Sequence, residues 1–98
     1  MTEREARHER VGPVLTANDD ARAVVAAIRE LNAEVSVEDR GAYLRVLVPG
    51  RCVVTRNAIE RALGHAFRLR ADLEPLMPAF KGFLRLDDER AEWSFDRP

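Results

Sequence analysis

The sequence predicts an α+β fold of two successive β-α-β-β halves, with two helices packed on antiparallel sheet. Three observations carry that expectation. A 3.6-period apolar stripe follows Asn18, a shorter one runs from Thr55 to Gly64, and the segments around each have the alternation or β-rich composition of strands. The doubling rests on element order, since no internal sequence repeat accompanies it.

Residues 1–10 alternate in charge without apolar periodicity and are expected to form a flexible N-terminal tail, leaving 11–98 as a single domain. Val11, Val14 and Leu15 make a short apolar run broken by Gly12 and Pro13. It reads as an edge strand, because Pro13 has no N–H to give to a ladder. Asn18 is a good N-cap, Asp19 and Asp20 put negative charge at the positive end of a helix dipole, and Ala21, Val24, Val25, Ile28 and Leu31 follow at steps of three and four. Arg22, Ala26, Arg29 and Glu30 form the outer face, and Asn32 marks the end.

From Glu34 the period changes to two. Val35 and Val37 alternate with Ser36 and Glu38, Asp39-Arg40-Gly41 make a turn, Tyr43 to Val48 form a strand ended by Pro49-Gly50, and Cys52 to Val54 form the next. Together they read as an antiparallel meander. Thr55 caps a second helix in which Ile59, Ala62 and Leu63 share a face, and Gly64 supplies the left-handed stop. Phe67 and Leu69 are anchors. Asp72 to Pro78 is ambiguous between helix and strand, because Pro75 and Pro78 interrupt either regular structure. Gly82–Leu86 and Glu92–Phe95 then pair across the acidic turn Asp87-Asp88-Glu89.

A chain of 98 residues buries a conventional core without staples. The single Cys52 forms no internal bridge, and its flanks Val53 and Val54 make it a buried structural thiol, which suits a reducing compartment. The first ten residues have no apolar h-region, and no later run approaches the roughly 18 apolar residues of a membrane span, so a cytoplasmic location and no membrane partner are expected. Sixteen basic and seventeen acidic residues nearly cancel, which argues against nucleic acid as a partner. Every basic residue but Lys81 is Arg, as a GC-rich genome would supply, and Arg suits carboxylate contacts across an interface.

Residues with the chemistry of an active site do not combine into one. Glu5 and His8 have the spacing of one Glu-x-x-His half-site, but a di-iron centre needs two such pairs and two further carboxylates on a bundle. His65 follows a helix stop with no nucleophile or acid near it in sequence, and the adjacent carboxylates Glu38-Asp39 and Asp87-Asp88-Glu89 lie in turns. There is no phosphate loop, Cys-x-x-Cys or nucleophile elbow. Trp93, Phe95, Phe80 and Phe83 are read as core rather than as a ligand pocket. No catalytic residue, cofactor or metal ligand is expected.

Several spaced signatures agree in order: Val11-Gly12-Pro13-Val14, the run Val37 to Arg45, Thr55-Arg56, and Leu63-Gly64. In these the chain resembles the effector, or coupling, proteins of bacterial soluble di-iron multicomponent monooxygenases (the MmoB/DmpM family), most closely the toluene and alkene type. The likeness runs from about Val11 to Phe95. It implies the monooxygenase regulatory protein fold and a cofactor-free, non-catalytic subunit. Such a subunit binds the di-iron hydroxylase and couples NADH-derived electron delivery and O2 activation to hydroxylation of an aromatic or alkene hydrocarbon. The ferredoxin and reductase of the system are then indirect partners.

Among the matching positions, the polar candidates for partner binding are Asn18, Glu38, Asp39, Arg40, Arg45 and Arg56. The chain departs from the family's pattern in a tail too short to wrap a partner, as the methane-type tails do, and in the prolines at 75 and 78. The competing reading is a stand-alone regulatory α+β domain that binds a small molecule.

Overall fold

The computed structural model describes residues 9–97. Within them seven strands and three helices follow in the order β1 (Arg10–Thr16), α1 (Asp19–Leu31), β2 (Ser36–Asp39), β3 (Tyr43–Pro49), β4 (Arg51–Thr55), α2 (Arg56–Leu63), α3 (Leu69–Leu76), β5 (Ala79–Lys81), β6 (Phe83–Leu86) and β7 (Arg90–Ser94). The doubled β-α-β-β order holds, with α3 and β5 added to the second half. All strand pairs are antiparallel, in a four-stranded sheet ordered β2-β3-β1-β5 and a three-stranded sheet ordered β4-β7-β6. Most of the expected tail, with Glu5 and His8, lies outside the described residues. Its described end is in place, since Arg10 opens β1 opposite Pro49 and the Glu9 carbonyl accepts the Gly50 N–H at 2.6 Å.

The first strand corrects the expectation of an edge. It lies between β3 and β5, and Pro13 is fully buried. A proline is tolerated there because the β1–β3 bridges run Val11↔Val48 and then Val14↔Arg45, skipping Gly12 and Pro13. At that gap Gly12 has φ 150°, and a Cβ on it would strike the Val46 carbonyl oxygen. Only glycine lets the two backbones approach so closely.

Helix α1 starts as its sequence predicts, with the Asn18 side-chain oxygen accepting the Ala21 N–H at 2.8 Å. It buries Ala21, Ala23, Val24, Val25, Ala27 and Ile28, whereas Leu31, expected in the stripe, is exposed. Asn32 does the anchoring at that end, bonding the Ile28 carbonyl and both backbone groups of Val53.

The expected meander is corrected at Pro49-Gly50. β2 and β3 form the hairpin, but β4 leaves for the second sheet and pairs with β7. Gly50 is the junction. Its N–H reaches the Glu9 carbonyl and its own carbonyl accepts the Phe95 N–H at 3.0 Å, so these bonds take the place of a β3–β4 ladder.

Helix α2 is capped by the Thr55 hydroxyl, which accepts the Ala58 N–H at 3.2 Å, and stopped by Gly64 at φ 82°. It packs on α1 through Ala58 and Ile59. Ala62 is exposed and Leu63 only half buried, so the expected three-residue face narrows to Ile59 with its neighbour Ala58. The unassigned stretch contains α3, whose Leu69, Leu73 and Leu76 are all buried. Pro75, in its last turn, has no N–H to give to the helical ladder, and the helix ends one residue later at Leu76.

Both sheets and all three helices share one core, in which Leu15, Ile28, Ile59, Leu73 and Trp93 are completely buried. Of the four aromatics expected inside, Trp93 is buried and Phe95 partly so. Phe80 and Phe83 are 45% and 40% exposed, because they flank Gly82 where the chain passes from the edge of one sheet to the edge of the other.

Candidate docking surface

The six polar positions singled out in the sequence fall in two places. Glu38, Asp39, Arg40 and Arg45 come together on the β2–β3 hairpin. Antiparallel register sets Glu38 directly opposite Arg45. Both guanidiniums converge on one carboxylate oxygen, with Glu38 Oε1 3.2 Å from Arg40 Nη2 and 3.9 Å from Arg45 Nη1. All three side chains are well solvated, so these pairs add little to stability and leave most of their hydrogen-bonding capacity free.

Asp39 has a different task. Its Oδ1 accepts the Gly41 N–H at 2.8 Å, and Arg40 N–H reaches the Tyr43 carbonyl at 2.8 Å, so this carboxylate shapes the turn. Asn18 reaches the same end of the molecule because the adjacent Ala17 N–H bonds the Ala42 carbonyl at 2.9 Å. Its side-chain oxygen is committed to the helix cap.

Arg56 is not part of this group. It opens α2, pairs with Glu89 at 3.0 Å, and its N–H bonds the Glu89 carbonyl at 2.9 Å, fastening the helix to the β6–β7 turn. Beside it Arg70 pairs with Asp88 at 3.1 Å. The Arg56 Nε atom is buried with no acceptor among the described residues.

One contributor to the hairpin face escaped the polar reading. Tyr43 is 47% exposed and shares its strand and face with Arg45, two residues along β3. Strand alternation was the available signal: Leu44, Val46 and Val48 are buried, so Tyr43 and Arg45 must point the other way.

His65 Nδ1 lies 3.0 Å from the Ala66 carbonyl on the surface. Cys52 is fully buried, and burial pushes its thiol up to about 12, far from a reactive thiolate. Asp87 is held below its usual pKa by the backbone N–H groups of Glu89 and Arg90, then by the charges of Arg70 and Arg90. Among the described residues no group of His, Cys, Asp and Glu is arranged to hold a metal ion, and no helix is long and apolar enough to cross a membrane.

Comparison with known proteins gives consistent results. The model of the MmoB/DmpM family matches residues 9–94. The alkene monooxygenase system effector subunit of Xanthobacter autotrophicus (strain ATCC BAA-1158 / Py2) is 41% identical over 87 residues, covering 87% of this chain and 85% of that one. Among solved structures, a chain of a phenol hydroxylase–regulatory protein complex superposes with a TM-score of 0.80 at 23% identity, over 90% of this chain and all of that one. A second such complex gives 0.72 at 26% identity, over 87% of this chain and 100% of that one. The soluble methane monooxygenase regulatory protein B gives 0.67 at 23% identity, over 91% of this chain but 68% of that one.

Proposed function

The chain belongs to the MmoB/DmpM family, and from that membership we propose that it is the effector subunit of a multicomponent monooxygenase, a non-catalytic partner of the system's di-iron hydroxylase. The observation that carries this reading is the 41% identity to an alkene monooxygenase effector, which extends over most of both chains. That relative favours an alkene over an aromatic hydrocarbon as the substrate of the system. The effector works in the cytoplasm, and ferredoxin and reductase act on the same hydroxylase.

In physical terms the subunit acts by differential affinity. An effector that binds one hydroxylase conformation more tightly than another shifts their populations by that difference alone, and so ties electron delivery and O2 activation to the presence of substrate. The hairpin suits such a role, because Glu38, Arg40, Arg45 and Tyr43 present charge and an aromatic surface without being needed for the core. Asn18, Asp39 and Arg56 serve docking indirectly, by holding α1, the hairpin turn and α2 in position. The alternative of a small-molecule-binding domain finds no support in the clefts beside Glu92 and Arg56, which are lined chiefly by arginines and carboxylates.

The test is reconstitution. With the hydroxylase and reductase of its own system, this protein is expected to raise product formed per NADH consumed, with an optimum near one effector per active site. No change in rate, coupling or regioselectivity would overturn the assignment.

A further inference from the structure

The outward face of the β4-β7-β6 sheet carries a second polar cluster, separate from the hairpin. Register sets Val53, Glu92 and Arg85 side by side across the three strands. Arg51 and Arg90 flank Glu92 from opposite directions along the sheet, and both reach its Oε2, at 3.1 and 2.6 Å. Glu92 is the least exposed of the three, and with the arginines it lines an open cleft of about 520 Å3.

Hydrogen-bond donors are in surplus there. Each guanidinium has five N–H donors in a rigid fork, yet one carboxylate oxygen serves both Arg51 and Arg90. Arg85, directly opposite Glu92, has no partner for its guanidinium among the described residues. Asp87 at the rim is turned onto the backbone N–H groups of Glu89 and Arg90, each at 2.8 Å. Among the described residues nothing else accepts from the remaining forks, which stand open to solvent, and carboxylates match them best.

The same face carries Phe83, paired with Ser94, and the Arg97 guanidinium lies 5.5 Å from the centre of its ring. Exposed Phe beside several Arg is the composition of a protein interface, and the cleft is far larger than a single small anion. We infer that this face docks an acidic segment of the hydroxylase, with partner carboxylates taken by Arg85 and by the free forks of Arg51 and Arg90, and with Phe83 as the apolar contact. The inference rests on the effector reading and assigns it a second contact surface.

The experiment titrates the full chain against the hydroxylase of its system at low and high salt. Arg85→Glu is expected to raise Kd at least about tenfold at low salt, by a margin that shrinks as salt screens the charges. Its melting temperature should fall only slightly, because Arg85 has no ion-pair partner among the described residues and the one new cost is a carboxylate facing Glu92 across the strands. Arg85→Lys should fall between the two, keeping the charge and losing the fork. The control Arg29→Glu, on the outer face of α1, should bind as wild type. If Arg85→Glu binds as wild type while Arg40→Glu or Arg45→Glu is weakened, the inference falls and the effector reading stands. If the wild type neither binds nor changes coupling, both fall. A change in self-association of Arg85→Glu, or phosphate binding lost in that variant without any change in hydroxylase Kd, would assign the face to a second copy or a small anion and overturn the inference.

Discussion

The side-chain amide of Asn32 closes both backbone hydrogen bonds of Val53, accepting its N–H at 3.0 Å and donating to its carbonyl at 2.7 Å. β4 is an edge of the three-stranded sheet, so this amide stands where the next strand would be. Its remaining N–H returns to the Ile28 carbonyl, and one side chain thereby ends α1 and fastens it to a strand twenty-one residues away.

Asn32→Ala should therefore destabilise the domain by about 1–3 kcal/mol, since two part-buried backbone groups lose their partner together. Urea unfolding measures the loss. Amide exchange at Val53 should quicken by more than at residues in the four-stranded sheet.

Gly12→Ala should cost at least about 2 kcal/mol, because the new methyl falls on the Val46 carbonyl oxygen, a backbone atom with no rotamer to give way. A loss under about half a kcal/mol, beneath the usual range for overpacking, would mean that β1 and β3 part easily at the proline.

Ile59→Ala and Leu63→Ala should separate. Ile59 is completely buried and its truncation should cost about 2–5 kcal/mol, whereas half-buried Leu63 should cost clearly less. Equal losses in thermal or urea unfolding would place Leu63 in the core after all.

Cys52 predicts a dependence on alkaline pH. Burial raises its thiol from the ordinary 9.0 to about 12, so the folded state keeps a proton that the unfolded chain releases above 9. The stabilisation is complete below pH 9 and falls as pH rises toward 12, with a limiting slope of about 1.4 kcal/mol per pH unit. Unfolding free energies measured from pH 8 to 10.5 should show this decline in the wild type and lack that component in Cys52→Ala.

Folding and docking should separate at the positions singled out in the sequence. Asn18→Ala removes a helix cap and should cost about 1 kcal/mol of stability. Arg40→Ala and Arg45→Ala should leave the melting temperature nearly unchanged and raise the effector concentration needed for full coupling. A fall in melting temperature for the arginine variants would show that their pairs with Glu38 hold the hairpin together.

Local rules were enough for the elements that carry their own signals. The Asn18 and Thr55 caps, the Gly64 stop, the α1 stripe and the β6–β7 pairing across Asp87-Asp88-Glu89 each depend on residues within a few positions of one another. The family was legible for the same reason, since its signatures are ordered short segments. In the candidate site, Glu38 with Arg40 could be anticipated from one turn, and alternation along β3 pointed Arg45 outward with them.

What remained was decided by contacts between segments distant in sequence. Whether β1 is an edge depends on β5, some sixty-five residues later, whose pairing at Pro13 no local pattern announces. Pro49-Gly50 ends a strand in any context, but only the bonds of Gly50 to Glu9 and Phe95 send β4 into the other sheet. Pro75 argues against helix locally, and burial of Leu69, Leu73 and Leu76 in the shared core outweighs it. Phe80 and Phe83 have core composition, yet their place at two sheet edges leaves them exposed. The arginines at 51, 85 and 90 are scattered in the sequence and meet around Glu92 only because β4, β7 and β6 pair in that register. Short-range hydrogen bonding and dipoles are written in neighbouring residues. Exposure and charge convergence depend on which strands come to lie side by side, and that is settled by the free energy of the whole core.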